Sequence, residues 1–516
     1  MCAVEAPSAP PARMHGGSAT LAVIDIGSNS GRLVVFRRDP LHHLEVLDDA
    51  RASLRLAREI PEGILSRGAM DRTLRVLHDF MDIARTAHAA PVLAVATSAI
   101  RESSNAAEFV AEVRAEIGLD LQVIDGDAEA RYAFLGAVHS LPIEHGMLLE
   151  VGGGSVEMTR FRERKLVRCW SFPLGALRVS DHFLLEDPPG ASDVEALEAH
   201  VEDLLRQAGV PTLEADEVLI GTGGTIRNLA KVDRRRQVYP IRRLHGYELA
   251  YESLNEVLEL LVERPAGRRA RVPGLNADRT DSIAGGAVVV REIATTLGAE
   301  SIIVSGQGLR EGLVIEWAHG ENPPEPSAVR KESVFSLASR FSYWDDAVAR
   351  GRARITSDLL DVLEPRIPPE LRELAEHAAV ALDLGRSVDY YNLHEASAWI
   401  LSTADLSGFS HRQLALLSAL VRMVGNENVR LNPYRPLVDE SDRPDLARAS
   451  ATLALADEIE RRVGSVSIPA LGWSLHSGRL ELATTISGAW RPRALAARFK
   501  RAYGLRLAIP EVPEPA

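Results

Sequence analysis

Cysteine is almost absent from this sequence, which excludes the classes of protein that depend on it. Cys2 and Cys169 are the only two among 516 residues. Disulfide frameworks and thiolate metal clusters need several cysteines at short spacings. The chain therefore belongs to neither class, and a reducing cytoplasm is the compartment we expect for it.

Long apolar runs are missing as well. No stretch reaches the roughly 18 uninterrupted apolar residues that indicate a transmembrane helix. Residues 1–19 are rich in Pro, Ala and Gly, and they have neither the basic start nor the apolar centre of a secretory signal. We predict a disordered tail there and no membrane association.

Positive charge is in short supply, since 59 Lys and Arg face 72 Asp and Glu for a net charge of −13. General nucleic-acid binders carry a surplus of basic residues, so we expect no nucleic-acid partner. A polyanionic ligand would require a local basic cleft. Arginine clusters at residues 234–236, 242–243 and 264–271 favour a basic track, and solvated loops are the alternative.

Short β-branched runs alternate with helical periodicity over residues 21–317, a pattern typical of an α/β fold. A proline-rich stretch at residues 321–326 cannot continue a helix and indicates a domain boundary. Further on, we predict a strand at residues 465–468 and a hairpin at Ser477-Gly478. The predicted segments are a tail at 1–19, lobe I at 20–140, lobe II at 141–320, a helical domain at 327–435 and a small α/β domain at 440–516.

Two segments 125 residues apart share one design. Each is an apolar strand ending near a carboxylate, Asp25 or Glu150, followed by a turn of small residues and a second strand. Small residues let backbone amides approach phosphate oxygens, and carboxylates can hold Mg²⁺. Two such turns facing each other would hold one phosphate chain from both sides. The predicted phosphate-binding residues in them are Gly27, Ser28, Asn29, Ser30, Gly152, Gly153, Gly154 and Ser155.

A third turn of small residues lies at positions 221–225, between an apolar strand and a helical segment. A glycine-rich turn at a helix N-terminus exposes backbone amides at the positive end of the helix dipole, which favours anions. No Gly-Lys-Ser/Thr follows, so this is not a Walker loop. We add Gly223, Gly224 and Thr225 to the predicted phosphate site.

Five motifs occur in order along the chain, at residues 25–30 (DIGSNS), 96–101 (ATSAIR), 126–131 (GDAEAR), 152–157 (GGGSVE) and 305–312 (SGQGLREG). With these motifs the sequence resembles the exopolyphosphatase and guanosine pentaphosphate phosphatase (Ppx/GppA) family, within the actin-like ATPase and sugar-kinase (ASKHA) superfamily. The resemblance implies an α/β protein with two actin-like (ribonuclease H-like) lobes and a cleft between them, then an all-α HD-like domain and a small C-terminal α/β domain. It also implies a Mg²⁺-dependent phosphoanhydride hydrolase that forms a homodimer.

By this resemblance Glu129 is the base that activates water, Arg101 stabilises the reacting phosphate, and Glu157 is the second catalytic carboxylate. The resemblance places Mg²⁺ on Asp25, Glu150 and Glu157. Glu150 stands where the family has Asp, and its added methylene puts the metal preference in question.

The local sequence agrees with a base at Glu129. Asp127 can cap a helix and leave Glu129 in its first turn, where the helix dipole favours an ionised carboxylate. Ala133 and Gly136 share the face of Glu129, and their small side chains would leave room for substrate.

The helical segment resembles an HD-type metal domain, but the position of the His-Asp pair reads Leu382-Asp383. His377 and His394 lie near it in sequence, and a lone helical histidine more often packs or faces solvent than binds metal. We therefore interpret this domain as structural.

Processive release of orthophosphate from the end of inorganic polyphosphate is the leading hypothesis. Conversion of guanosine pentaphosphate (pppGpp) to the tetraphosphate is the alternative, because both substrates end in the same anhydride. A (p)ppGpp-binding regulator without turnover is a third interpretation. An actin-like ATPase or kinase is disfavoured, since the sequence shows no recognisable phosphoacceptor pocket.

Overall fold

The computed structural model describes residues 19–40, 43–56, 60, 63–320, 324–363, 366–463, 472–482 and 492–509. The predicted tail, apart from Ala19, and the predicted strand at residues 465–468 lie outside these ranges. The chain divides into two units, one formed by residues up to 238 with 244–329 and the other by residues 239–243 with 330–516. None of the described helices is long and apolar enough to cross a bilayer.

The first unit begins with a five-stranded sheet. Its elements are β1 (Ala19–Ile26), β2 (Ser30–Arg38), β3 (Leu44–Ser53), α1 (Arg67–Thr86), β4 (Val92–Ala96), α2 (Ser98–Arg101), α3 (Ala106–Ile117), β5 (Leu121–Val123) and α4 (Gly126–Ser140). The strand order is β3-β2-β1-β4-β5, with β1 antiparallel to β2 and parallel to β4. Ala22 and Ile24 of β1 pack into one core and Leu21 and Val23 into another. Both faces of this strand are therefore buried, which explains its continuous apolar sequence.

A six-stranded sheet follows in the same unit, in the order β10-β11-β9-β6-β7-β8. Here β6 is antiparallel to β7 and parallel to β9, which repeats the relation of β1 to β2 and β4. The sequence echo is thus a repeated strand unit, and the two-lobed α/β class is confirmed. The elements are β6 (Gly146–Val151), β7 (Val156–Arg162), β8 (Lys165–Phe172), α5 (Ala176–Phe183), α6 (Ala191–Gln207), β9 (Val218–Thr222), α7 (Gly223–Arg236), β10 (Tyr247–Ala250), α8 (Tyr251–Val262), α9 (Ala266–Arg269), α10 (Ile283–Leu297), β11 (Ser301–Val304) and α11 (Leu309–His319).

The second unit is mainly helical and ends in a small sheet of order β12-β13-β14. Its elements are α12 (Pro326–Ser339), α13 (Asp346–Leu363), α14 (Pro369–Ala381), α15 (Leu393–Thr403), α16 (His411–Gly425), α17 (Arg443–Val463), β12 (Trp473–His476), β13 (Arg479–Leu482), α18 (Arg493–Tyr503) and β14 (Arg506–Ala508). Ser477 and Gly478 both have positive φ and form the hairpin turn predicted between β12 and β13. The helical and small α/β parts of the fold class are confirmed.

The position of the missing His-Asp pair is held by a buried ion-pair network. Arg352 is only 1% exposed to solvent. Its guanidinium lies between two buried carboxylates, 2.5 Å from Asp383 and 2.8 Å from Asp457. Arg461 pairs with the other oxygen of Asp457 at 2.8 Å. Within the described ranges, no group of three or more His, Cys, Asp or Glu side chains is placed to hold a metal ion. In this unit the charge that neutralises Asp383 comes from arginine.

We predict that Arg352→Met destabilises the protein by about 3–5 kcal/mol, because it leaves two buried carboxylates without their common cation. Urea unfolding followed by circular dichroism measures this. The matched control is Arg354→Met on the same helix, whose side chain is exposed. It should change stability by no more than about 0.5 kcal/mol. Equal effects of the two substitutions would contradict the role given to Arg352.

Candidate active site

The two predicted phosphate turns face each other across the lobes. Both are closed in the same way, by a backbone hydrogen bond from Gly27 to Ser30 at 3.1 Å and from Gly152 to Ser155 at 3.0 Å. A β-carbon added to Gly154 would lie 3.4 Å from the hydroxyl oxygen of Ser98 and 3.5 Å from that of Ser28. The lack of side chains in the second turn therefore lets lobe I approach it closely.

The second turn is fixed in place by the start of α5. The amides of Ala176 and Leu177 donate to the carbonyls of Gly152 and Gly153, each at 3.0 Å. The packing is so close that a β-carbon on Gly175 would lie 2.2 Å from the carbonyl carbon of Gly154. This turn is held by backbone contacts before any ligand arrives.

The third predicted turn lies beside the second. Gly223 begins α7 with φ +89°, and a β-carbon there would be 2.7 Å from the carbonyl oxygen of Val151. The Arg279 guanidinium packs on Gly224 so closely that any side chain there would displace it. The Thr225 hydroxyl is buried and has no hydrogen-bond partner within the described residues. The structure thus brings all three predicted turns together.

Four carboxylates surround these turns, and the strand register places two of them side by side. Glu150 on β6 is the direct cross-strand partner of Glu157 on β7, so both project from the same face. Asp25 ends the equivalent strand of lobe I, and Glu129 comes from the first turn of α4. The Arg101 guanidinium donates to Glu129 Oε2 at 3.0 Å and to the Ile124 carbonyl at 2.9 Å.

Burial controls the charge of these carboxylates. It raises the pKa of Glu150 to about 8, with further increases from Glu129 and Asp25. The pKa values of Glu129 and Glu157 are raised in the same way, first by burial and then by neighbouring carboxylates. Burial also raises the pKa of Asp25, against the opposing effect of Arg310. Burial therefore opposes the helix dipole, which was expected to favour the ionised form of Glu129.

Two local predictions around Glu129 were wrong. The α4 cap is Asp125, whose carboxylate accepts from the Ala128 amide at 2.7 Å, and Asp127 lies inside the first turn. Gly136 leaves no room for substrate, because a β-carbon there would be 2.3 Å from the Gly308 carbonyl oxygen. The missing side chain instead allows α11 to pack closely on α4.

A cluster of arginines completes the site, and its members escaped the sequence analysis. Arg32 on β2 is the cross-strand partner of Asp25, and Arg310 Nε lies 3.9 Å from the Asp25 carboxylate. Burial lowers the pKa of Arg32 to about 9, with further decreases from Arg310 and Arg227. Arg32 and Arg279 make no side-chain hydrogen bond to the described part of the chain. The arginine cluster therefore concentrates positive charge where an anionic ligand could bind.

The sequence contained one signal for Arg32. It lies seven residues after Asp25, just as Glu157 lies seven residues after Glu150. Since both hairpins have the same register, the repeat places arginine in lobe I where lobe II has glutamate.

Some of the arginines predicted to form a basic track for a polyanion are engaged in other contacts. Arg243 donates to the Phe409 carbonyl at 3.1 Å within the second unit. Arg269 is 4% exposed and donates to the carbonyls of Arg264 and Thr280 at 2.7 and 2.9 Å. These two arginines hold the fold together and are not free to line a track.

Known proteins share the sequence features that build this site. The Ppx/GppA phosphatase family profile matches residues 34–321, and that of domain III of Ppx/GppA phosphatases matches residues 329–474. The chain belongs to the Ppx/GppA phosphatase family. Among family relatives, exopolyphosphatase 1 of Mycobacterium tuberculosis is 31% identical over 301 residues, covering 57% of this chain and 87% of the relative. Exopolyphosphatase 1 of Mycobacterium leprae is 30% identical over 300 residues, covering 57% and 88%.

Solved structures of the family show the same two-lobed fold. The Ppx/GppA family member of Aquifex aeolicus is 28% identical, covers 59% of this chain and 99% of its own, and has a TM-score of 0.53. An exopolyphosphatase of Cytophaga hutchinsonii is 25% identical, with coverages of 58% and 98% and a TM-score of 0.53. The predicted family and the actin-like fold are therefore confirmed, and the chain is a phosphatase by family.

We predict that Arg32→Gln weakens binding of inorganic tripolyphosphate by about ten- to a hundredfold, because a charge-assisted hydrogen bond contributes roughly 1.5–3 kcal/mol. Isothermal titration calorimetry without divalent metal measures the Kd. Arg75→Gln on the exposed face of α1 is the matched control and should leave the Kd unchanged. An unchanged Kd for Arg32→Gln would remove this arginine from the phosphate site.

Proposed function

We propose that this protein hydrolyses the terminal phosphoanhydride of inorganic polyphosphate and releases orthophosphate. The placement of Glu129 supports this proposal most directly. Its carboxylate accepts a hydrogen bond from Arg101 at 3.0 Å and belongs to the same group of buried carboxylates as Glu157. This group lies beside the two facing phosphate turns. The relatives named exopolyphosphatase support the choice of substrate. So does the arginine cluster, because repeated phosphates present charge without any other group to recognise.

In the proposed reaction, a water molecule attacks the terminal phosphorus while Glu129 accepts its proton. The bond between that phosphorus and the bridging oxygen breaks, and the bridging oxygen keeps the electron pair as the new end of the shortened chain. Arg101 neutralises charge on the terminal phosphoryl oxygens, and Glu157 orients the water. The buried site excludes other water and strengthens each of these interactions.

We propose Mg²⁺ as the cofactor, held by Asp25, Glu150 and Glu157. Glu150 Oε2 is buried and has no hydrogen-bond partner among the described residues, as expected for an oxygen that meets a cation. In the described ranges these three carboxylates do not form a complete metal site by themselves, so the ion would need further ligands from phosphate oxygens and water. When bound, Mg²⁺ would neutralise phosphate charge. The extra methylene of Glu150 makes a metal-preference assay the direct test of this site.

Guanosine pentaphosphate is the alternative substrate, because its terminal anhydride would fit the same turns and carboxylates. A (p)ppGpp-binding regulator remains the non-catalytic alternative. The two substrates are separated by the ratio of their kcat/KM values, and the regulator is separated from both by binding without phosphate release.

We predict that Glu129→Ala lowers kcat for orthophosphate release from long-chain polyphosphate by about 10²–10⁴-fold, the contribution of a general base. Release from polyphosphate and from guanosine pentaphosphate is measured in parallel with Mg²⁺. Glu116→Ala on the exposed face of α3 should retain full activity. Full activity of Glu129→Ala would show that another group accepts the proton, and no release by the wild type from either substrate would favour the regulator.

The raised pKa of Glu129 gives a second prediction. A base with a raised pKa stays protonated until higher pH, so kcat/KM should fall as the pH drops through that raised value. Glu157→Gln removes a negative neighbour that helps to raise it. The acidic limb of the residual activity should therefore move to lower pH. The measurement is the pH profile of kcat/KM, with Glu116→Gln as control, and a limb that stays in place or moves up would contradict the coupling.

A further inference from the structure

A cavity of about 640 Å³ lies in the first unit, against the phosphate turns. Its lining includes Ser28, Ser98, Gly153 and Gly154, which are the residues where the turns of the two lobes meet. The Ser28 and Ser98 hydroxyls share a hydrogen bond at this seam. Residues predicted to hold phosphate therefore also form one wall of the cavity.

In the described part of the chain, the lining of the cavity does not include the predicted reacting groups. Within the described residues, its lining contains none of the four carboxylates and none of the arginines grouped around Asp25. The phosphate turns therefore have two different sides. One carries the carboxylates and the arginine cluster, and the other opens into the cavity.

A substrate chain that remains bound after cleavage imposes a constraint on product release. The arginines around Asp25 attract every phosphate of the shortened chain and not only the terminal one. While the chain occupies that side, the orthophosphate in the turns cannot leave along the same route. Repeated cleavage without release of the chain requires a second opening.

We propose that the cavity is this second opening, through which orthophosphate leaves while the shortened chain stays on the arginines. The proposal rests on the proposed hydrolysis. The lining also carries groups that can bind a small anion, namely Arg178, His182 and His200. Arg178 of lobe II pairs with Glu102 of lobe I at 3.0 Å, and both line the cavity.

The charge pattern favours a single phosphate over a chain in this cavity. Arg178 is already paired with Glu102, and Asp181 adds a second acidic group to the lining. A small anion can briefly replace the Glu102 carboxylate as the partner of Arg178 and then dissociate. A long polyanion would meet both carboxylates and much less unpaired positive charge than it meets around Asp25.

A larger side chain in the cavity lining, at a position outside the group of four carboxylates, should narrow the proposed exit. His200→Trp on α6 adds volume opposite Phe183, whose ring centroid lies 5.0 Å from that of His200. His78→Trp, on the exposed face of α1 and outside the lining, is the matched control. Two quantities are measured during the first turnovers on long-chain polyphosphate. Acid quench measures all the orthophosphate that has formed, and a fluorescent phosphate sensor measures the orthophosphate that has been released.

For His200→Trp we expect kcat to fall by about tenfold as product release becomes rate-limiting. Acid quench should then show a burst of one phosphate per enzyme that the free-phosphate sensor does not show. Wild type and His78→Trp should show no such difference. A lower kcat without the burst, or an unchanged kcat for both His200→Trp and the second variant His182→Trp, would overturn the proposal.

Two other outcomes are distinguished in the same experiment. A raised KM for guanosine pentaphosphate alone, with no burst, would show that the cavity holds the nucleoside part of a substrate and would overturn the exit route. No phosphate formation by the wild type on either substrate would overturn the proposed function, and the exit route with it.

Discussion

The first unit depends on the burial of four carboxylates in one place. Asp25, Glu129, Glu150 and Glu157 all have raised pKa values, because each is removed from water and three of them are further raised by another carboxylate of the group. Such a group is unfavourable unless protons, guanidinium groups or a cation neutralise it. Arg101 does so for Glu129 by a direct hydrogen bond. The rigid turns and close lobe contacts keep the group together despite its cost, which is typical of a reacting site.

The two lobes use one supersecondary unit for opposite charges. In lobe I the strand register pairs Asp25 with Arg32, and in lobe II it pairs Glu150 with Glu157. A phosphate substrate needs both kinds of surface, a basic one to bind its oxygens and an acidic one to accept a proton and hold a cation. Divergence at one position of the repeat supplies both without any change of backbone.

The second unit shows the same electrostatic rule with a different result. Asp383 and Asp457 are also buried, but Arg352 lies between them and fills the space that a cation would need. The side chain of Arg352 is 2% exposed, so neither water nor substrate competes for it. A permanent internal cation therefore takes the place of a bound metal between these two carboxylates, and the structural role of the domain stays a prediction.

The sequence by itself determined the strands, the three turns and the family, because periodicity and small residues are local properties that any α/β packing must respect. It placed Glu129 and Arg101 through motifs, and their catalytic roles stay predictions. Only the tertiary structure decided that Glu129 is hard to ionise, that Arg32 faces Asp25, and that the arginines at 243 and 269 serve the fold. Burial and electrostatic interactions depend on residues far apart in the chain, and no local pattern records which of them meet.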